Sequence, residues 1–468
     1  MRDNSISISK AIAIILMVIG HAGCPSILHN LIYQFHIPLF FFFSGYCFKD
    51  KHLTDFRTYT SKRITGIYLP YVKYAILFLV LHNLFFYLNI YNDQYGYNGI
   101  GLSLYTFKDI AHRALKITTQ MAGEEQLLGG YWFMKILFLT SFTGFAFIKY
   151  LKNKKLQIVG LVFLYAIVFY ITRAESVSSF WNSVWYTCFA TLFFMLGKIS
   201  SGYKTPQSWW FTIVCIAGVF GLSIINPAGF TTKHNILLYV IGALTGILAT
   251  KNISGHLQNI PYVGKALVYI GNRTLTILTW HFLCFKLVSL AIIKIYGLPI
   301  ELLASFPIIT EYAAKGWWVA YSLVGVIIPI CIALISQIMP ARKSTSLAIF
   351  CLYILAICYI CFSNHNGLPE LPGFIVGIPL DKIIHFVMFS PFPLLAYQLF
   401  SYEKMDIKKR VIVLLIIVVT GCLVGMATEH IQALLEYRSA EINDFYSGVL
   451  GLISGGACTA VVIYWKNR

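Results

Sequence analysis

Lys10 and His21 stand eleven residues apart near the start of the chain, in KAIAIILMVIGH. Eleven steps of about 100° return a helix to within roughly 20° of the same face, and a rise of about 1.5 Å per residue sets the two groups about 16 Å apart on one stripe. That is about half the thickness of a hydrocarbon core. A cation and an imidazole are both costly against lipid, so the stripe has to face protein or water. An imidazole titrating near neutrality can take the proton of a hydroxyl and make it a nucleophile. A covalent relay through the ring is a second route. A third reading is a buried histidine bonded to a backbone carbonyl, with no chemistry at all. His36 lies in the next apolar run and His281 in a later one, behind the polar start Asn272-Arg273-Thr274. Each reads either as a partner in that chemistry or as a group bonding a neighbouring helix.

The elements that carry these residues must be apolar helices. Of the 468 residues 58% are hydrophobic and 12% charged, and the mean hydropathy is +0.72. A soluble domain is nearer half apolar and a quarter charged. Continuous apolar runs of about 17 to 22 residues fit membrane helices, and a bilayer admits only helices or closed barrels. The expectation is an all-α polytopic protein of about fourteen spans, near 8–24, 35–48, 67–91, 131–148, 156–172, 182–199, 209–226, 235–250, 274–293, 317–338, 347–362, 381–400, 411–430 and 445–465. Ten belong to a domain over 1–338, four to a domain over 347–468, and a basic linker over 339–346 joins them. Basic residues gather in alternate loops, five in Lys49–Arg63 and four each in Lys149–Lys155 and Lys404–Arg410, with none in 25–34 or 363–380. That bias predicts both termini in the cytoplasm. It also accounts for the net charge of +18 without a nucleic-acid partner. The eleven cysteines lie mostly inside apolar runs, and Cys358 and Cys361 read as helical filler. No metal-binding spacing stands out, and no metal is expected. The loop 92–130 carries Glu124 and Glu125 and leads into Trp132. It reads either as a lid whose residues touch substrate or as a surface loop with an amphipathic piece.

The order Lys-x10-His, FHIPLFFFFSGY (35–46), KRITGIYLPY (62–71), GGYWFMKILF (129–138) and YIGNRTLTILTWH (269–281) resembles acyltransferase family 3. Lys10 stands where arginine is usual. The resemblance implies an O-acyltransferase of a bacterial inner membrane. It would move an acyl group, expected to be acetyl, from cytoplasmic acetyl-CoA to a hydroxyl of a cell-surface glycan or lipid-linked saccharide. It implies His21 as general base, with Lys10, His36 and His281 beside it in the catalytic set, and Lys10, Lys62 and Arg63 as contacts for the donor phosphates. From their place in the outer loop and its exit, Glu124, Glu125 and Trp132 are expected on the acceptor side, with an aromatic-belt anchor the other reading of Trp132. Membrane lipid is the surrounding partner, and the oligomeric state, a homo-oligomer included, stays open.

PLDKIIHFVMF (379–389) and GMATEHIQALLEYRSAEINDFYSGVLG (425–451) resemble a VanZ-like domain, with Ser447 where that family has asparagine. Asp381 and His385 share a helix face as an i,i+4 pair. With Glu429, Gln432, Arg438 and Asp444 they are expected at one depth, where such groups must pair or face water. Two alternatives remain at this point. One is a transporter or flippase, since charges inside spans also mark permeation paths, although no inverted repeat is visible. The other is a non-enzymatic envelope-binding protein conferring glycopeptide or lipopeptide tolerance through the last four spans.

Overall fold

The computed structural model describes residues 4–96, 99–151, 153–172, 179–203, 206–231, 235–338, 341–362, 374–375, 378–400, 406–433, 435 and 441–465. They form two compact units, Met1–Ala333 and Leu334–Arg468. The first unit opens with α1 (Asn4–His21), α2 (Ser26–Tyr46) and α3 (Phe56–Arg63). A π-helical stretch, Ile64–Tyr68, joins α3 to α4 (Leu69–Tyr87). Then come α5 (Phe107–Gln120), α6 (Trp132–Tyr150), α7 (Lys154–Thr172), α8 (Ser179–Ser200), α9 (Trp209–Ile225), α10 (Ile236–Leu257), α11 (Pro261–Gly271) and α12 (Thr274–Tyr296). The short α13 (Thr310–Tyr312) leads into α14 (Trp318–Ile338).

Small residues explain how α1 comes to the centre. Ser5, Ser7, Ser9, Ala11 and Ala13 are buried, and helices in membranes approach where side chains are small. α1 packs on α2, α10, α11 and α12. Ser9 Oγ donates to Ser254 Oγ at 2.9 Å and Ser7 Oγ to Asn272 Oδ1 at 3.3 Å. At Gly271 a Cβ would fall on the Ser7 carbonyl oxygen, so α11 lies backbone to backbone on α1. α2 and α8 cross in the same way: a Cβ at Gly45 would strike the Phe194 carbonyl, and one at Gly197 the Phe42 carbonyl. Aromatic side chains fill the space around these crossings, Phe41, Phe42, Phe193 and Trp185 among them.

Among the described residues, nine helical segments are long and apolar enough to cross a membrane, and Lys155–Tyr170 and Trp209–Ile225 are shorter apolar helices. The class is therefore an all-α polytopic membrane protein, with nine such segments among the described residues against the fourteen spans expected. The expected span 35–48 is really α2 from Ser26. His29, Asn30 and Gln34 read as a polar loop, yet Gln34 is fully buried within the helix. The unit boundary falls a few residues before 338, inside α14, and the basic stretch expected as a linker is helical from Ala341 onward.

The second unit holds α15 (Ala341–Phe362), the two-residue strands β1 (Phe374–Ile375) and β2 (Ile378–Pro379), α16 (Leu380–Phe389), α17 (Phe392–Tyr397), α18 (Ile407–Gln432) and α19 (Ile442–Trp465). β1 and β2 pair antiparallel, Phe374 opposite Pro379 and Ile375 opposite Ile378. This hairpin is the one exception to the all-α reading among the described residues. The expected span 381–400 is two short helices. Pro391 and Pro393 lack the N–H a continuing helix would need. α16, α17 and α18 each pack on α19.

Candidate active site

Three imidazoles and a phenol meet where α1, α2 and α12 come together. His21 is the last residue of α1, half-buried, and the chain turns away through Gly23 at φ +77°. Its ring lies 5.7 Å from that of His281, nearly parallel, and 5.1 Å from that of Phe282. Its Nδ1 is 3.3 Å from the hydroxyl of Tyr33. The Tyr33 ring stacks on His29 at 3.9 Å and meets the edge of His36 at 4.9 Å. Gly20 leaves room for it, because a Cβ there would come within 2.8 Å of Tyr33 Cε2.

Two of the rings are fixed by their own helices. His36 Nδ1 bonds the Ile32 carbonyl at 2.8 Å, and His281 Nδ1 lies 3.0 Å from both the Ile277 and Leu278 carbonyls. A carbonyl only accepts, so Nδ1 must carry the hydrogen in each and the lone pair sits on Nε2. His281 is fully buried, and its Nε2 has no hydrogen-bond partner among the described residues.

Lys10 lies on the same unbroken helix as His21 and is half-buried. Lys62 is exposed at the end of α3, and Arg63 lies with its guanidinium 4.8 Å above the Tyr59 ring. The three residues expected on the acceptor side each have partners of their own. Trp132 packs between Tyr186 and Phe230 in the aromatic core. Glu124 accepts a 2.6 Å ion pair from Arg113, which in turn lies 4.1 Å above Tyr105. Glu125 is buried against His82, whose Nδ1 is 3.1 Å from Oε2, and accepts from the Tyr91 hydroxyl at 3.1 Å. Burial raises the Glu125 carboxyl above the ordinary range. His82 Nε2 faces the Ser103 carbonyl at 3.0 Å, so that nitrogen carries a hydrogen and one further proton is held between Nδ1 and the carboxylate. The loop 92–130 is thus pinned from inside, and α5 within it is closed by a capping box between Thr106 and Asp109.

In the second unit Lys382 is the hub. Its Nζ donates to Asp381 at 2.8 Å and to Glu441 and Asp444 at 2.6 Å each. His385 sits between two carboxylates, Nδ1 3.9 Å from Glu429 and Nε2 3.8 Å from Asp444. Ligand atoms of His385, Glu429 and Asp444 lie within 4.8 Å of one another, as do those of Asp381, Glu441 and Asp444. Either set has cation-ligand chemistry, but the ammonium of Lys382 already bonds all three members of the second. Gln432 turns away, donating to the Cys361 carbonyl at 3.0 Å. Arg438 lies outside the described residues.

Sequence reasoning passed over Tyr33, His82 and Lys382. His82 had a usable signal, an ionisable group inside the apolar run YAILFLVLHNLFF, which is a functional or structural flag in a membrane helix. Lys382 stands next to Asp381 in the chain. Tyr33 had none, because its meaning comes from a contact between two helices.

Apolar helices enclosing a set of histidines define a membrane-embedded protein with ionisable chemistry in its interior. The particular family follows from comparison. The acyltransferase domain family matches residues 3–336, and the chain belongs to it. It is also similar to the uncharacterized protein C11E3.10 of Schizosaccharomyces pombe, 31% identical over 129 residues, 27% of this chain and 69% of that one. No solved structure matches. The family match ends at residue 336, and no comparison supports a VanZ-like domain beyond it.

Proposed function

We propose that this membrane acyltransferase transfers an acyl group, acetyl in the simplest case, from acyl-CoA to a hydroxyl of a cell-envelope glycan or lipid-linked saccharide in a bacterial cytoplasmic membrane. The observation that carries the reading is α1 itself. One helix carries both Lys10 and, at its C-terminal end, His21; His21 meets His281 and Tyr33, and Tyr33 in turn meets His36. With both termini in the cytoplasm, Lys10 lies at the inner mouth and meets the donor phosphates, joined by Lys62 and Arg63 on the inner loop. His21 Nε2 takes the proton of the acceptor hydroxyl as its oxygen attacks the thioester carbonyl. The carbon–sulfur bond breaks, and the imidazolium returns the proton to the departing thiolate. His281 and His36, each with its lone pair on Nε2, receive hydroxyl hydrogens and orient the acceptor. The second unit, read as a VanZ-like module, presents envelope material through its carboxylate–histidine cluster.

The test is release of free coenzyme A by the purified full chain given acetyl-CoA and envelope saccharide. General-base help is worth about 10² to 10⁴ in rate. His21→Ala and His21→Gln are expected to lose that order of activity, and His36→Ala less. Near-normal turnover by His21→Gln would remove the general base from the mechanism.

A further inference from the structure

The three histidines differ in how their rings are held. His36 and His281 are each locked by carbonyls of their own helix, which fixes the hydrogen on Nδ1. His21 ends its helix and is held through a side chain instead, the Tyr33 hydroxyl at 3.3 Å from Nδ1. A hydroxyl both donates and accepts, so this bond survives whichever nitrogen carries the proton. Tyr33 is well fixed itself. Its ring is stacked on His29, its backbone carbonyl accepts from the Tyr239 hydroxyl at 3.3 Å, and Gly20 opens the space it occupies.

We infer that Tyr33 is the positioning residue of the transfer reaction. Its oxygen accepts from Nδ1–H of His21, turns Nε2 toward the acceptor hydroxyl, and keeps the same bond when Nε2 gains the proton. This rests on the reading of His21 as the base. The imidazolium is then stabilised by a neutral oxygen, and three further imidazoles, His29, His36 and His281, surround the pair.

Tyr33→Phe keeps the ring and its stacking and deletes only the hydroxyl. A hydrogen bond to a charged group is worth roughly ten- to a hundredfold, and kcat of the purified full chain is expected to fall by that factor with the donor KM unchanged. The imidazolium loses support, so the acidic limb of kcat/KM should move to lower pH by about one unit. A wild-type rate and pH profile in Tyr33→Phe, with His21→Gln inactive, overturns the role of Tyr33 and leaves the base in place. A slower variant with an unmoved limb and a raised KM makes Tyr33 a packing residue and also overturns it. An active His21→Gln defeats the base first, and is told apart by that variant alone.

Discussion

Gly271→Ala is expected to slow transfer by about a hundredfold in a protein that still folds. The added methyl would fall on the carbonyl oxygen of Ser7 and within 3.2 Å of the Ala11 amide nitrogen, both backbone atoms of α1. No side chain can swing aside to absorb it, so α1 and α11 must separate by roughly an ångström or more. Overpacking of this kind costs about 1–3 kcal/mol, which lowers the thermal midpoint without abolishing the fold. The larger effect is on geometry. His21 lies about 21 Å further along the same rod than Ser7, and a displacement of about 1 Å at reacting groups costs about 10² in rate. Gly221→Ala in α9 is the control, since a Cβ there meets nothing within 4 Å, and alanine favours the helix by up to about 1 kcal/mol. Coenzyme A release and thermal unfolding would be measured on both variants in detergent. Full turnover by a folded Gly271→Ala would refute the idea that the α1–α11 contact sets the position of His21.

Two further outcomes are expected. Lys10→Ala should raise the concentration of acyl-CoA needed for half-maximal rate, and Lys10→Arg should preserve or lower it, because a guanidinium grips phosphate bidentately; equal donor affinity in all three proteins would move the donor mouth elsewhere. His82→Ala leaves Glu125 buried with the Tyr91 hydroxyl as its hydrogen-bond partner among the described residues, and breaking a buried pair costs about 3–5 kcal/mol; an unchanged thermal midpoint would contradict the pinning of Glu125.

Sequence makes the spans legible because lipid leaves a helix little choice of composition. Helices overlie the long apolar runs, and helix arithmetic alone puts Lys10 and His21 on one face of α1. What escaped depended on partners. Gln34 looks like loop until its side chain is seen packed on Gly242 of α10. The stretch 381–400 looks continuous by hydropathy, which is blind to the missing N–H groups of Pro391 and Pro393. Trp132, Glu124 and Glu125 stand out in the sequence by their position in the chain, and only the packing reveals Tyr186, Phe230, Arg113 and His82 against them. Tyr33 gains its significance from α1 lying beside α2, a relation no spacing within either helix encodes.

The paired glycines at the crossing of α2 and α8 bear on how such a site can diversify. With Gly45 seated on the Phe194 carbonyl and Gly197 on the Phe42 carbonyl, the helix that carries Tyr33 and His36 has no adjustable side chain between it and its neighbour at that point. Small substitutions there cannot retune its angle; they can only force it off. In the proposed site, adaptation to a different acceptor would proceed through α12 and the segment after it, where Phe282 meets Phe306 ring to ring and bulk can be exchanged one side chain at a time. One face of the site is inheritance and the other is where descent can experiment.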